Sequence, residues 1–125
     1  MRKQYHFCPS DQGLMAWDVD RLIEISQELP VRSVALDSIR EIDEVYWFDD
    51  DEQKPTCRNV LLHMRLIEEC DLSYPIILGA DGRVMDGMHR VAKALLEGRL
   101  EIEARRFEQD PEPDHVGRKP RDLPY

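Results

Sequence analysis

The sequence has no surplus of positive charge: 17 Lys and Arg stand against 26 Asp and Glu in 125 residues, a formal net charge of -9. Affinity for a duplex comes largely from Lys and Arg neutralising phosphates, so this sign disfavours DNA as a partner. Small anions stay open, because a few local donors outweigh a global field at one site. Long apolar runs are also missing. None approaches the ~20 residues that a membrane span needs, and residues 1–13 hold no apolar signal core. Cysteine is scarce: Cys8, Cys57 and Cys70 make an odd number with no CxxC spacing, which argues against a disulfide framework. The expectation is a cytoplasmic protein without membrane association. Cys57, Cys70, His63 and His89 show no familiar zinc-ligand spacing, and no metal site is expected from them. No serine stands in a nucleophile-elbow context.

Hydrophobic residues make up 42% and charged residues 34%, a globular composition with a well-solvated surface. The length suits one domain, with residues 1–17 as an N-terminal extension and 108–125 as a Pro-rich, charged tail, extended over the body or mobile. Asp18 suits a helix N-cap, and Val19, Leu22, Ile23, Ser26 and Leu29 recur at helical spacing, predicting a helix over 19–28 that Pro30 stops. Residues 31–36 read as a short strand. Tyr46-Trp47-Phe48 is an aromatic knot, read as core or hydrophobic lid. The acidic run 49–52 reads as a solvated loop. A second helix is expected over 58–71, with Val60, Leu61, Met64 and Ile67 as its apolar stripe. Residues 76–78 and 83–85 read as a hairpin turning at Ala80-Asp81-Gly82. A helix follows over 88–97 with Val91, Ala92, Leu95 and Leu96 facing inward, closed by Gly98. Residues 100–107 then alternate as a half-buried strand does. The expected fold is α/β (α+β): a small mixed β-sheet flanked by helices.

Chemistry concentrates at Asp86-Gly87-Met88-His89-Arg90. A helix that starts at a glycine turn presents free N–H groups at its positive end, which attracts phosphate or carboxylate. His89 and Arg90 lie in the first turn, and Arg90 has the fork geometry for a bidentate phosphate contact. A purely structural reading stands beside this: Gly87 as a turn residue, His89 bonded to backbone, Arg90 paired with Asp86. Arg58 and His63, on the second helix, are further candidates. Five residues of helix separate them by about 140°, so at most one faces a ligand.

This segment, with Ala92 and Ala94 after it, resembles the Gly-x-His-Arg signature of the ParB/sulfiredoxin-like superfamily. The likeness extends over residues 31–107, and only the five-residue signature is specific. It implies that Gly87, His89 and Arg90 contact the phosphates of ATP or another nucleotide, with Asp86 and Met88 beside them. Met88 stands where sulfiredoxins carry cysteine, and a thioether cannot be that nucleophile. ParB partition proteins add a helix-turn-helix region for which the segment after residue 107 is too short. The nearer analogy is to free-serine kinases of the superfamily, with a carboxylate base after the first strand. Glu41, Asp43 and Glu44 occupy that loop, as base or Mg²⁺ ligand, and the choice among them stays open. The expectation is a nucleotide-binding protein with phosphotransferase or nucleotide-hydrolysing activity on a small-molecule substrate. Two alternatives are a non-enzymatic module that binds a protein partner and a small metal-dependent nuclease.

Overall fold

The computed structural model describes residues 3–48 and 53–125; the acidic run 49–52 lies outside them. Tyr5–Ser10 (β1) and Gly13–Asp18 (β2) pair antiparallel, with Ser10 opposite Gly13 across a tight turn. The sequence reading assigns no element here, and the reason is non-local. Ala16 and Trp17 are buried, and the Trp17 indole N–H donates to the carbonyl of Pro111, 2.8 Å away, near the other end of the chain.

Asp18 caps the first helix, α1 (Val19–Ser26), by accepting from the Asp20 N–H at 2.9 Å. The helix stops two residues before the expected boundary, where Gln27 and Leu29 turn back on Glu24 and Ser26. Arg32–Ala35 forms β3, followed by two 3-10 turns, Leu36–Ser38 and Arg40–Asp43. The second helix, α2 (Cys57–Glu69), is capped by Thr56. Then come β4 (Ile76–Leu78), β5 (Val84–Asp86), α3 (Met88–Leu96) and β6 (Glu101–Arg106). A two-residue strand β7 (His115–Val116) and a 3-10 turn Pro120–Asp122 complete the order.

The fold is thus α+β, with two sheets. One has the order β1-β2-β7; the other is four-stranded and mixed, with the order β3-β6-β4-β5. In the larger sheet β6 runs antiparallel to β3 and parallel to β4. Strand β4 is buried on every residue, as a central strand covered on both faces must be. Alternation in β6 holds: Ile102 and Ala104 are buried, while Glu101 and Glu103 are exposed. Leu36, Ile39, Ile76, Val84 and Val91 join Ile102 in the main core, and Trp17, Leu22, Ile77, Met85 and Phe107 form a second cluster.

The two later helices bury only part of the faces expected. Only Ile67 of α2 is buried, with Asn59 and His63 half-buried, while Leu61 and Leu62 stay exposed. The side that meets the body therefore runs through 59, 63 and 67, and includes the His63 contact described below. In α3 the buried residues are Met88, Val91 and Ala94, with Ala92 half-buried, while Leu95 and Leu96 remain exposed. The tail lies over the body. Strand β7 pairs with β2, Leu123 is buried, and the Tyr5 hydroxyl donates to the carbonyl of Pro124. No described helix is long and apolar enough to cross a membrane.

Candidate functional site at the start of the third helix

Strand β5 ends at Asp86 and α3 begins at Met88, so the chain must reverse through Gly87 alone, at φ 112° and ψ 20°. Only glycine holds that conformation without strain. A Cβ there would also lie 2.6 Å from Cγ2 of buried Ile76. Helices α1 and α2 each begin with a side chain bonded to a first-turn N–H; α3 has no such cap. Its first N–H groups have no partner within the helix, so the positive end of α3 is the uncapped one of the three.

Arg90 lies in the first turn of α3 but points back at the chain. One terminal nitrogen donates to the carbonyls of Tyr74 and Pro75, each at 2.9 Å, and the other meets Asp86 Oδ2 at 2.8 Å. Its guanidinium is largely buried. This clamps the entrance of β4 to the exit of β5 across the glycine turn. Asp86 and Arg90 thereby hold the corner's shape, beside first-turn backbone N–H groups that have no partner within the helix.

His89 leaves the same turn and meets His63 of α2. Nδ1 of His63 and Nε2 of His89 are 2.9 Å apart, and the ring centroids are 5.1 Å apart with planes 20° from parallel. That separation is what two imidazoles need to share one N–H···N bond end to end. The Trp47 indole lies over both, at 4.7 Å from His63 and 4.8 Å from His89, and Phe48 abuts His63 edge-on. The two residues of a shared N–H···N bond cannot both be protonated, since one must accept. His89 is pushed down to about 4 by burial, then by His63 and Arg90. His63 is lowered by burial. At neutral pH both rings are neutral. Arg58, at the far side of α2, is exposed and away from this pair.

The three loop carboxylates separate cleanly. Asp43 is exposed. Glu44 binds Nη1 of Arg83 with both oxygens, at 2.6 and 2.7 Å. Glu41 is only 4% exposed; its Oε2 accepts from the Val84 N–H at 2.6 Å, while Oε1 is buried and without a partner. Strand β5 thus carries Glu41 at one end and the α3 corner at the other. Beside them opens a cavity of about 470 Å³ whose walls include Glu41, Glu44, Tyr46, Trp47, Phe48 and Met88. That volume lies in the range of small-ligand sites.

No protein-family model, curated protein or solved structure matches this chain.

The site therefore joins an uncapped helix start, a neutral histidine pair under an indole, and one buried carboxylate in the wall of an aromatic-lined cavity. The described residues hold no group of three or more His, Cys, Asp or Glu that could bind a metal ion. The donor set fits Mg²⁺ only as a nucleotide would carry it, with Glu41 as a single carboxylate beside phosphate oxygens and water. Spacing in the sequence could not reveal the Val84 N–H that fixes Glu41, or Trp47 as the cover of both histidines. The signal that existed was the aromatic run itself, within one loop of Glu41.

Proposed function

We propose that this protein binds a nucleotide, with its phosphates on the backbone N–H groups at the start of α3 and the second ligand of a phosphoryl-transfer reaction in the neighbouring cavity. The observation that carries this reading is the contrast between helix starts: α1 and α2 are closed by Asp18 and Thr56, and α3, behind Gly87, is not. A helix N-terminus without a cap favours an anion electrostatically and by direct hydrogen bonding. The likeness of Gly87-Met88-His89-Arg90 to the Gly-x-His-Arg signature supports the same ligand class. In this reading His89 lines the phosphate corner as a neutral donor, Arg90 and Asp86 brace it, and Met88 forms a cavity wall. Of the three carboxylates, Glu41 alone is buried beside the cavity, held by the Val84 N–H. Mg²⁺ arriving with the nucleotide would neutralise phosphate charge.

Thermal-shift and calorimetric titration with ATP, ADP, CTP and GTP, with and without Mg²⁺, tests it. A nucleotide at ~100 times its dissociation constant should stabilise the protein by about 2.7 kcal/mol. His89→Asp places a negative charge at the helix start, which suits the helix but repels phosphate. It should keep the circular dichroism of the wild type and lose nucleotide binding. Absence of any shift in folded wild-type protein, or undiminished binding by His89→Asp, refutes the proposal.

A further inference from the structure

The apolar pattern of α2 marks Val60, Leu61, Met64 and Ile67 as one stripe, and the fold uses only the last of them. Ile67 is buried, whereas Val60, Leu61 and Met64 are 41, 67 and 38% exposed. At 100° per residue those three fall within an arc of about 100°, beside the line through 59, 63 and 67 that meets the body. Apolar residues scattered singly over a surface need no partner, but three along one row of a helix make a patch. The charges of α2 point to what covers it. Arg58 stands in the first turn and Glu68 and Glu69 in the last, with no acidic residue in the first turn and no basic one in the last. That is the reverse of what the helix dipole favours. None of the three takes part in an ion pair among the described residues. With Arg65, α2 carries two Arg and two Glu in a chain of net charge -9. It is a locally neutral surface on which two copies can meet without like-charge repulsion.

We propose that this row of α2 is a two-fold interface with a second copy of the same chain, the two α2 helices packed antiparallel. An antiparallel copy sets the start of each helix beside the end of the other. With Leu61 opposite Met64 of the second copy, position 58 falls opposite 67, next to Glu68. Arg58 of each copy then meets Glu68 of the other, so both reversed ends are complemented in one contact made twice, as a self-complementary interface requires. A parallel pair would set Arg58 against Arg58. The exposed Val60, Leu61 and Met64 of both copies are buried between the helices. One helix from each copy makes a small interface, below about 1,200 Å² in all, so the dimer is reversible and depends on concentration. The inference stands on α2 alone and is independent of the nucleotide reading.

Sedimentation equilibrium of the nucleotide-free protein, from about 1 to about 500 µM, tests it. The weight-average mass should rise from the monomer's 14.7 kDa towards twice that value. Leu61→Asp should stay at the monomer mass throughout. Because Leu61 is 67% exposed in a single copy, the circular dichroism and urea midpoint of that variant in dilute solution should match those of the wild type. Arg58→Glu should weaken the dimer about fivefold or more, since two ion pairs become two repulsions. Adding Glu68→Arg and Glu69→Arg to the same chain should restore it, because exchanging the signs leaves an antiparallel pair complementary. A wild-type protein that is monomeric at every concentration, or a dimer that Leu61→Asp leaves intact, overturns the proposal. A triple variant that binds itself no more tightly than Arg58→Glu alone overturns the antiparallel pairing. Should Leu61→Asp fold poorly, Arg58→Glu and its compensated form decide.

Discussion

Replacing Gly87 with alanine should be among the most damaging single-methyl additions in the protein, and its size can be worked from two contributions. The backbone stands at φ 112°, a region that costs an L-residue roughly 1–2 kcal/mol. The new methyl would lie 2.6 Å from Cγ2 and 2.9 Å from Cβ of Ile76, and 2.9 Å from Nη2 of Arg90. Ile76 is 0% exposed and sits in the central sheet, and Arg90 is held by Asp86 and two carbonyls, so neither neighbour can yield freely. Overpacking of this kind costs about 1–3 kcal/mol. The sum is about 2–5 kcal/mol. With a urea slope of about 2 kcal/mol/M, the unfolding midpoint should fall by roughly 1–2.5 M. Gly98→Ala is the control. Gly98 also has positive φ, at 74°, but an added methyl meets nothing within 4 Å. It should lose about 1 kcal/mol or less, because the stiffer unfolded chain offsets part of the strain. Equal losses in the two variants would refute the claim that the corner is closed by contact as well as by conformation.

The histidine pair sets a pH dependence whose sign follows from His89. Its folded value of about 4 lies below the ordinary 6.5, so the unfolded chain takes up the proton first. The contribution is complete above 6.5 and is lost as pH falls towards 4. Allowing for the ring's partial exposure, the loss is about 1–2 kcal/mol; His89→Gln should flatten the profile between pH 7 and 4.5, and parallel profiles for the two proteins would rule the pair out as its source. At the other end of the chain, Leu123 is 5% exposed, and Leu123→Ala should destabilise by about 2–3 kcal/mol in urea unfolding. A loss under about 0.5 kcal/mol would mean that the tail rests on the body without contributing to it.

Local signals gave the elements they could encode. Asp18 announced α1 through its cap chemistry, the Ile76-Ile77-Leu78 run announced a buried strand, and residues 100–107 announced a half-buried strand by their alternation of apolar and charged residues. The corner was legible for the same reason, since a single glycine between strand and helix leaves few conformations. What was hidden depends on partners distant in sequence. The β1–β2 hairpin is completed by Pro111 and β7, and the tail by Tyr5 and Trp17, so neither half declares itself alone. On α2 the apolar pattern pointed to Val60, Leu61, Met64 and Ile67; Ile67 is buried as expected, but Val60, Leu61 and Met64 are exposed and the half-buried residues are Asn59 and His63, the latter in contact with His89. Among Glu41, Asp43 and Glu44 the residue types are interchangeable on paper. They are distinguished by an Arg83 from the neighbouring hairpin and by the Val84 N–H.

The strand order β3-β6-β4-β5 has a consequence for how the chain comes to be folded during synthesis. Strand β6 joins the two halves of the larger sheet, yet of its four strands it is the last to be made. Until residue 106 has emerged, β3 has no neighbour and β4 is paired on one side only. At about 5–20 residues per second, that leaves β3 waiting for several seconds. The β4–β5 hairpin and α3 can form from adjacent sequence during that interval, with Arg90 locking them. The arrival of β6 then closes both open edges in one step.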